Sequence, residues 1–282
     1  MKVLENLNKI KSRDGLELFN RYWPVENPQG VVLIAHGLGE HSGNYGHVAE
    51  ALNRIAGVSV LAFDFRGHGH SPGRRGVVFD YQELIDDLLA HLDFIKSTWP
   101  TLPRFVLGHS NGGQVVLRSA MAGTLDVKGM ILSSPGLKVA AKVPAWKLAV
   151  GRLLQKFAPG VAMASEIDLN ILTHDPEMLE RHRSDKLRHG SINAPFYFGL
   201  IEGGQKIWQN AGSITVPALF LLGGSDPLVD TPFSVEVFER LGATDKTLKL
   251  YPEMVHEPLC ELGREAVLDS MGSWVKDRLV SP

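Results

Sequence analysis

Gly108-His109-Ser110-Asn111-Gly112-Gly113 sets a serine among glycines where an apolar run, Phe105-Val106-Leu107, gives way to Gln114-Val115-Val116-Leu117-Arg118-Ser119-Ala120. The order reads as strand, sharp turn and helix, the nucleophile-elbow pattern G-x-S-x-G. A serine on such a turn is forced out of the sheet, and glycine at 108 and 112 removes side chains that would collide where strand and helix come close. The helix start leaves backbone N–H groups unpaired beside it, so a negative oxygen can be stabilised there. A serine between glycines also serves as a plain turn, so the pattern needs partners. An uncharged hydroxyl attacks a carbonyl only when a base takes its proton and a third group fixes that base.

Asp226 and His256 follow in the order this topology requires, serine, acid, histidine, each in the loop directly after an expected strand. Asp230 competes for the acid's place. Asp226 is preferred because it sits where the strand ends, whereas Asp230 stands at the start of the next helix and can cap it. His256 is the only histidine after position 189. Among the other histidines, His36 is expected to shape its loop by bonding backbone, and His109 to brace the turn around Ser110. Asp64, His68 and His70 are metal-ligand types, but the tight Arg66-Gly67-His68-Gly69 loop gives little sign of convergent ligands, so neither metal nor cofactor is expected. Cys260, the single cysteine, reads as a small buried residue rather than a nucleophile. Two backbone N–H groups would hold the oxyanion, those of Asn111 and, within His36-Gly37-Leu38-Gly39, of Leu38. The Asn111 amide is left to touch substrate.

These groups need a sheet to hold them. Val31 to Ala35, Val58 to Phe63, Phe105 to His109, Lys128 to Ser133, Val216 to Leu222 and Lys246 to Tyr251 are strand-like runs, several of them continuously apolar as a sheet buried on both faces demands. Helical patterns at about 45–55, 81–95, 111–121, 233–241 and 263–280 alternate with them. The expected fold class is therefore α/β, a mostly parallel sheet with helices on both faces and the site at the strands' carboxyl ends. Residues 7–12 and 16–23 read as a hairpin around Asp14-Gly15.

The rhythm breaks between about Gly136 and Gly212, where no buried strand is evident. Residues 137–211 are expected to form a helical cap over a core made of 1–136 and 212–282. Its first helix places Trp146, Ala149, Val150, Leu153, Leu154 and Phe157 on one face, with further helices over 176–187 and 195–208. That stripe either packs internally or acts as a lid. As a lid it lines an acyl pocket through Trp146, Val150, Leu153 and Leu154 or touches lipid, with Lys142, Lys147, Arg152 and Lys156 drawing anionic headgroups. The Arg181-His182-Arg183-Ser184-Asp185-Lys186 cluster reads as solvated surface.

Composition narrows the classes. With 282 residues, 44% hydrophobic and 21% charged, and 29 basic against 31 acidic residues, the chain has the make-up of a soluble enzyme and no basic excess for nucleic acid. The start lacks a signal-peptide apolar stretch and no segment is long enough to span a membrane, so a cytoplasmic location, peripheral at most, is expected.

His36-Gly37-Leu38-Gly39-Glu40-His41-Ser42-Gly43-Asn44-Tyr45, Phe63-Asp64-Phe65-Arg66-Gly67-His68-Gly69-His70-Ser71, the elbow itself, and Tyr251-Pro252-Glu253-Met254-Val255-His256-Glu257-Pro258 together resemble the monoglyceride lipase and lysophospholipase group of α/β-hydrolases, of serine aminopeptidase S33-like type. The resemblance runs over essentially the whole chain and is least specific in the cap. It implies hydrolysis of single-chain lipid esters through an acyl-enzyme, with Ser110, Asp226 and His256 as triad and Leu38 and Asn111 as oxyanion donors. Two positions depart from it. The group commonly has methionine at 111, and its monoglyceride lipases have an arginine at 44 that can pair with Glu40. Asn44 leaves Glu40, a candidate headgroup contact, to be held differently. Short-chain esterase, thioesterase and carbon-carbon bond hydrolase activities, and a non-catalytic binding protein of the same fold, stand as alternatives.

Overall fold

The computed structural model describes residues 2–7, 9–140, 143–165 and 167–279. The chain begins with short strands β1 (Leu4–Glu5), β2 (Ile10–Lys11), β3 (Glu17–Leu18) and β4 (Asn20–Trp23), followed by β5 (Val31–Ala35), α1 (Gly46–Ala56), β6 (Ser59–Phe63) and α2 (Gln82–Thr98). β7 (Arg104–His109), α3 (Asn111–Met121) and β8 (Gly129–Ser133) complete the central part. An excursion then carries α4 (Ala145–Phe157), β9 (Ala162–Ala164), α5 (Pro176–Ser184), β10 (Ser191–Asn193) and α6 (Ala194–Asn210). β11 (Ala218–Gly223), α7 (Thr231–Arg240), β12 (Lys246–Tyr251) and α8 (Arg264–Leu279) return to the sheet.

The sheet runs β1-β4-β6-β5-β7-β8-β11-β12. β1 pairs antiparallel with β4 and β4 with β6, whereas every pair from β6 through β12 is parallel. Parallel strands need crossovers that cover both faces. α1 and α8 bury Val48, Leu52, Val267, Met271 and Val275 on one side, and α2, α3 and α7 bury Leu84, Leu88, Val115, Val116 and Val237 on the other. β5, β6 and β8 are buried along their whole length as a result. Each fully buried aliphatic side chain there stabilises the fold by about 1.5–3 kcal/mol relative to exposure.

Two expectations need correction. The run 16–23 is two strands: β3 closes the hairpin with β2 around Gly15, at φ 87°, while β4 joins the main sheet. The excursion is also not wholly helical, because β9 and β10 pair antiparallel within it.

Candidate active site

Ser110 stands between β7 and α3 at φ 50° and ψ −117°, a conformation that costs a residue with a side chain about 1–3 kcal/mol. Neighbouring backbone holds it there. Ser110 N–H donates to Ser133 O at 3.0 Å, and Ser110 O accepts from Gly136 N–H at 2.8 Å. A Cβ on Gly112 would lie 2.1 Å from Ala35 O, so only glycine lets α3 start this close to β5.

The three groups expected to act together lie in one line of hydrogen bonds. Ser110 Oγ is 3.0 Å from His256 Nε2, and His256 Nδ1 is 2.8 Å from Asp226 Oδ2. Asp226 Oδ1 accepts from Leu228 N–H at 2.8 Å and Val229 N–H at 3.0 Å, which fixes the carboxylate. Burial alone raises a carboxyl pKa, but the His256 charge and hydrogen bond with these two N–H donors hold Asp226 below the ordinary range. Burial pulls His256 down, and the Asp226 carboxylate, aided by Glu257 and Glu40, outweighs it and raises the imidazole. With Nδ1–H donated to Asp226, the Nε2 lone pair faces the serine hydroxyl. Asp230 is elsewhere: it accepts from Phe233 N–H at 2.9 Å as the N-cap of α7 and pairs with Lys138 at 2.6 Å.

Leu38 and Asn111 both border the space in front of Ser110. Asn111 Oδ1 accepts from Tyr81 O–H at 2.7 Å, so that oxygen is committed inside the fold rather than to substrate. His36 Nδ1–H donates to Gly37 O at 2.7 Å and its Nε2 accepts from Phe65 N–H at 3.0 Å, a clamp on the loop that carries Leu38. Burial depresses its pKa and keeps it neutral. His109 Nδ1–H reaches Ser133 O at 3.1 Å and ties the end of β7 to β8.

A cavity of about 600 Å³ opens over these groups, within the size range of small-ligand pockets. Its lining has an apolar part, with Val143, Ile167, Leu169, Leu172, Ile192 and Leu228, and a charged part that includes Glu40, His182, Arg188 and Glu257. Glu40 accepts from Gly37 N–H at 2.5 Å and Tyr45 O–H at 2.7 Å. Glu257 accepts from His182 Nε2–H at 2.7 Å, and Arg188 lies 3.4 Å from Glu257, 3.8 Å from Glu40 and 3.3 Å from His182 Nδ1. Burial would lift both carboxyls, but the His182 hydrogen bond and the Arg188 charge pull Glu257 well down, and His109 with Arg188 outweigh Glu257 in lowering Glu40.

Sequence reasoning missed Arg188. It carries no motif, yet two acids in the loops after β5 and β12 demand a cation if they are buried. Asn44 accepts from Arg188 at 3.4 Å and donates to Asp185 at 3.2 Å, so the position expected to hold the counter-ion instead helps orient one from the excursion. His182 and Asp185 correct another expectation, since they turn inward from a segment read as solvated surface.

Of the expected substrate contacts, Glu40 lines the cavity while Trp146, Val150, Leu153 and Leu154 do not. α4 packs through Gly151 against Phe198 and leaves Trp146 65%, Leu153 59% and Phe157 72% exposed. The stripe is real but faces outward. Lys142, named with it, lies outside the described residues. His182, Glu257 and Cys260 bring ligand-type atoms within 4.8 Å of one another. A dication there would have to displace the His182–Glu257 bond beside Arg188, and burial keeps the Cys260 thiol protonated.

The family profile described as Hydrolase_4, serine aminopeptidase, S33, matches residues 26–263. The chain is 35% identical over 267 residues to the monoacylglycerol lipase of Mycolicibacterium smegmatis, covering 94% of this chain and 95% of that one. It is 32% identical to the monoglyceride lipase of Rattus norvegicus, covering 98% and 92%. Among solved structures, the Paleococcus ferrophilus monoacylglycerol lipase superposes with a TM-score of 0.84 at 30% identity, covering 93% of this chain and 100% of that one.

Proposed function

The chain belongs to the Hydrolase_4 (serine aminopeptidase, S33) family of α/β-hydrolases and is related throughout its length to monoacylglycerol lipases, and from that premise we propose that it hydrolyses carboxylic esters of single-chain lipids, monoacylglycerols or lysophospholipids, through an acyl-enzyme. The observation that carries this reading is the Ser110–His256–Asp226 line opening onto a cavity lined by both apolar and charged side chains. Ser110 Oγ attacks the ester carbonyl carbon while its proton passes to His256 Nε2. The carbonyl oxygen becomes an oxyanion, held by the N–H groups of Leu38 and Asn111, each worth about 10²–10³ in rate. Collapse breaks the bond to the alcohol oxygen, which takes the proton from His256. Water then gives a proton to His256 and its oxygen to the acyl carbon, and Ser110 Oγ leaves with that proton.

Residues 137–211 form the cap in this reading, over a core of 1–136 and 212–282. The outward face of α4, with Trp146, Leu153 and Phe157 flanked by Lys147, Arg152 and Lys156, suits contact with an anionic membrane surface. No helix among the described residues is long and apolar enough to cross a membrane. The test is turnover of monoacylglycerols, lysophosphatidylcholine, diacylglycerol and short p-nitrophenyl esters by wild type and Ser110→Ala. The variant should lose all ester turnover and fluorophosphonate labelling while keeping its thermal transition. Turnover retained by Ser110→Ala defeats the proposal, and a panel with no preference for long acyl groups favours a short-chain esterase.

A further inference from the structure

Asn111, the first residue of α3, is buried and lines the cavity beside Ser110. Its side-chain oxygen is taken, since Oδ1 accepts from Tyr81 O–H at 2.7 Å. Its side-chain nitrogen is not. Nδ2 has no hydrogen-bond partner among the described residues, and its surface is not sealed off as the hydroxyls of Ser134 and Tyr197 are. The carbonyl and NH2 groups of an amide point apart across a trigonal carbon. Tyr81 does not line the cavity whereas Asn111 does, so an oxygen turned to Tyr81 leaves the nitrogen on the cavity side.

Tyr81 holds this orientation. Its ring lies against Gly199 of α6, where a Cβ would come 2.7 Å from Tyr81 Cδ2, with the Arg118 guanidinium 4.4 Å over its centre and the Phe196 ring edge-on at 6.0 Å. Burial raises the phenol pKa, so the proton stays, and Asn111 Oδ1 is its one acceptor among the described residues. A flipped amide would strand that proton as a buried donor with no partner.

An NH2 group facing a cavity discriminates between occupants. An alkyl chain laid against it displaces water and leaves the donors unpaired, whereas an oxygen within reach restores the bond. Covalent structure sets that reach: the acyl carbonyl would sit on Ser110 Oγ, one residue before Asn111, so the acyl carbons nearest the carbonyl are those beside the amide. Resting on the ester-hydrolase reading, we propose that Asn111 Nδ2 is a specificity-determining donor, oriented by Tyr81, that selects acyl groups bearing a hydroxyl or carbonyl oxygen on their second or third carbon.

The experiment measures kcat/KM for ethyl octanoate, ethyl 2-hydroxyoctanoate, ethyl 3-hydroxyoctanoate and ethyl 3-oxooctanoate with wild type, Asn111→Leu, Tyr81→Phe and the double variant. The intrinsic reactivity of each ester cancels when the oxygenated-to-plain ratio of a variant is divided by that of wild type. For the ester whose oxygen the amide reaches, that ratio should fall about tenfold in Asn111→Leu, the worth of one hydrogen bond with its desolvation. Tyr81→Phe keeps the amide but frees its orientation, so the same ratio should fall by less. The double variant removes both hydrogen-bonding partners at nearly constant shape, which keeps the test open should Asn111→Leu alone not fold. Melting curves and fluorophosphonate labelling establish that each variant is folded. Folded Asn111→Leu or double variants that keep every wild-type ratio overturn the proposal, even if all four rates drop together. A Tyr81→Phe that melts earlier but keeps the ratios overturns the orienting role. A wild type that neither labels nor turns over any ester removes the premise instead, which is a different result from unchanged ratios.

Discussion

The strain at Ser110 is measurable because glycine tolerates its backbone and alanine does not. Ser110→Gly and Ser110→Ala should both be inactive, yet the glycine variant should be the more stable by about 1 kcal/mol, or roughly 2–4 °C in Tm for a chain of this size. Equal melting temperatures would mean that the elbow relaxes. At His256 the sign follows from its proposed role as the base. The base must be neutral, and its pKa is raised by Asp226, so kcat/KM should fall as pH drops through a midpoint above the ordinary histidine value of about 6.5. Asp226→Asn removes the charge that raises it, moving the acid limb to lower pH, and should cut the plateau by about 10⁴ through the wrong tautomer. A limb that stays in place in a pH–rate profile would assign it to another group. Arg188 is the third case. Arg188→Met leaves Glu40 and Glu257 buried without their shared cation and should cost about 3–5 kcal/mol in chemical denaturation near neutral pH. Both acids are depressed in the folded state, so their contribution is present above the unfolded value of about 4.3 and is lost as pH falls. The deficit of the variant should shrink on acidification, and a deficit independent of pH would point to packing alone.

Among the elements, α4 shows what a sequence pattern can and cannot report. Its periodicity located the helix and its apolar stripe, but a stripe records only that one face avoids polar residues, not what meets it. Inside the chain the meeting surface is Gly151 against Phe198, which no periodicity marks. Replacing Trp146 and Phe157 by serine should change stability by less than about 0.5 kcal/mol per site, since both are exposed. The same change should weaken co-sedimentation with vesicles containing anionic lipid, and undiminished binding would place any membrane contact elsewhere. β5, β6, β7 and β8 were legible because a strand buried on both faces must be a continuous apolar run. β9 was not, because Ala162–Ala164 is exposed, three residues long and has no alternation to read. Arg188 escaped for a related reason: its partners are set by the folding of the excursion over the core, and nothing local to it signals a buried ion pair.

At the scale of the whole molecule, a parallel sheet with both faces covered sends the loops after β5, β7, β11 and β12 to one edge, where Leu38, Ser110, Asp226 and His256 stand. Strand order and the elbow could be read from sequence because each is enforced by local sterics and burial. The ties between excursion and core could not, because those made by side chains, such as Arg188 with Glu40 and Glu257, carry no local motif, and the others are backbone contacts without side-chain signature. His189 N–H donates to Gly39 O, Glu257 N–H to Leu172 O, and Val139 bridges Val229 while Ala140 N–H reaches Leu228 O. Each of the loops bearing Leu38, Asp226 and His256 is thus stitched to the excursion. The Val139–Val229 bridge bears on how such proteins diversify. A recombination boundary drawn at the end of β8 would carry away the strap that seats the acid loop, whereas one drawn after Ala140 would leave it behind. The exchangeable segment is therefore shorter than the visible one, and chimeras between relatives should be cut after Ala140, beyond the strap.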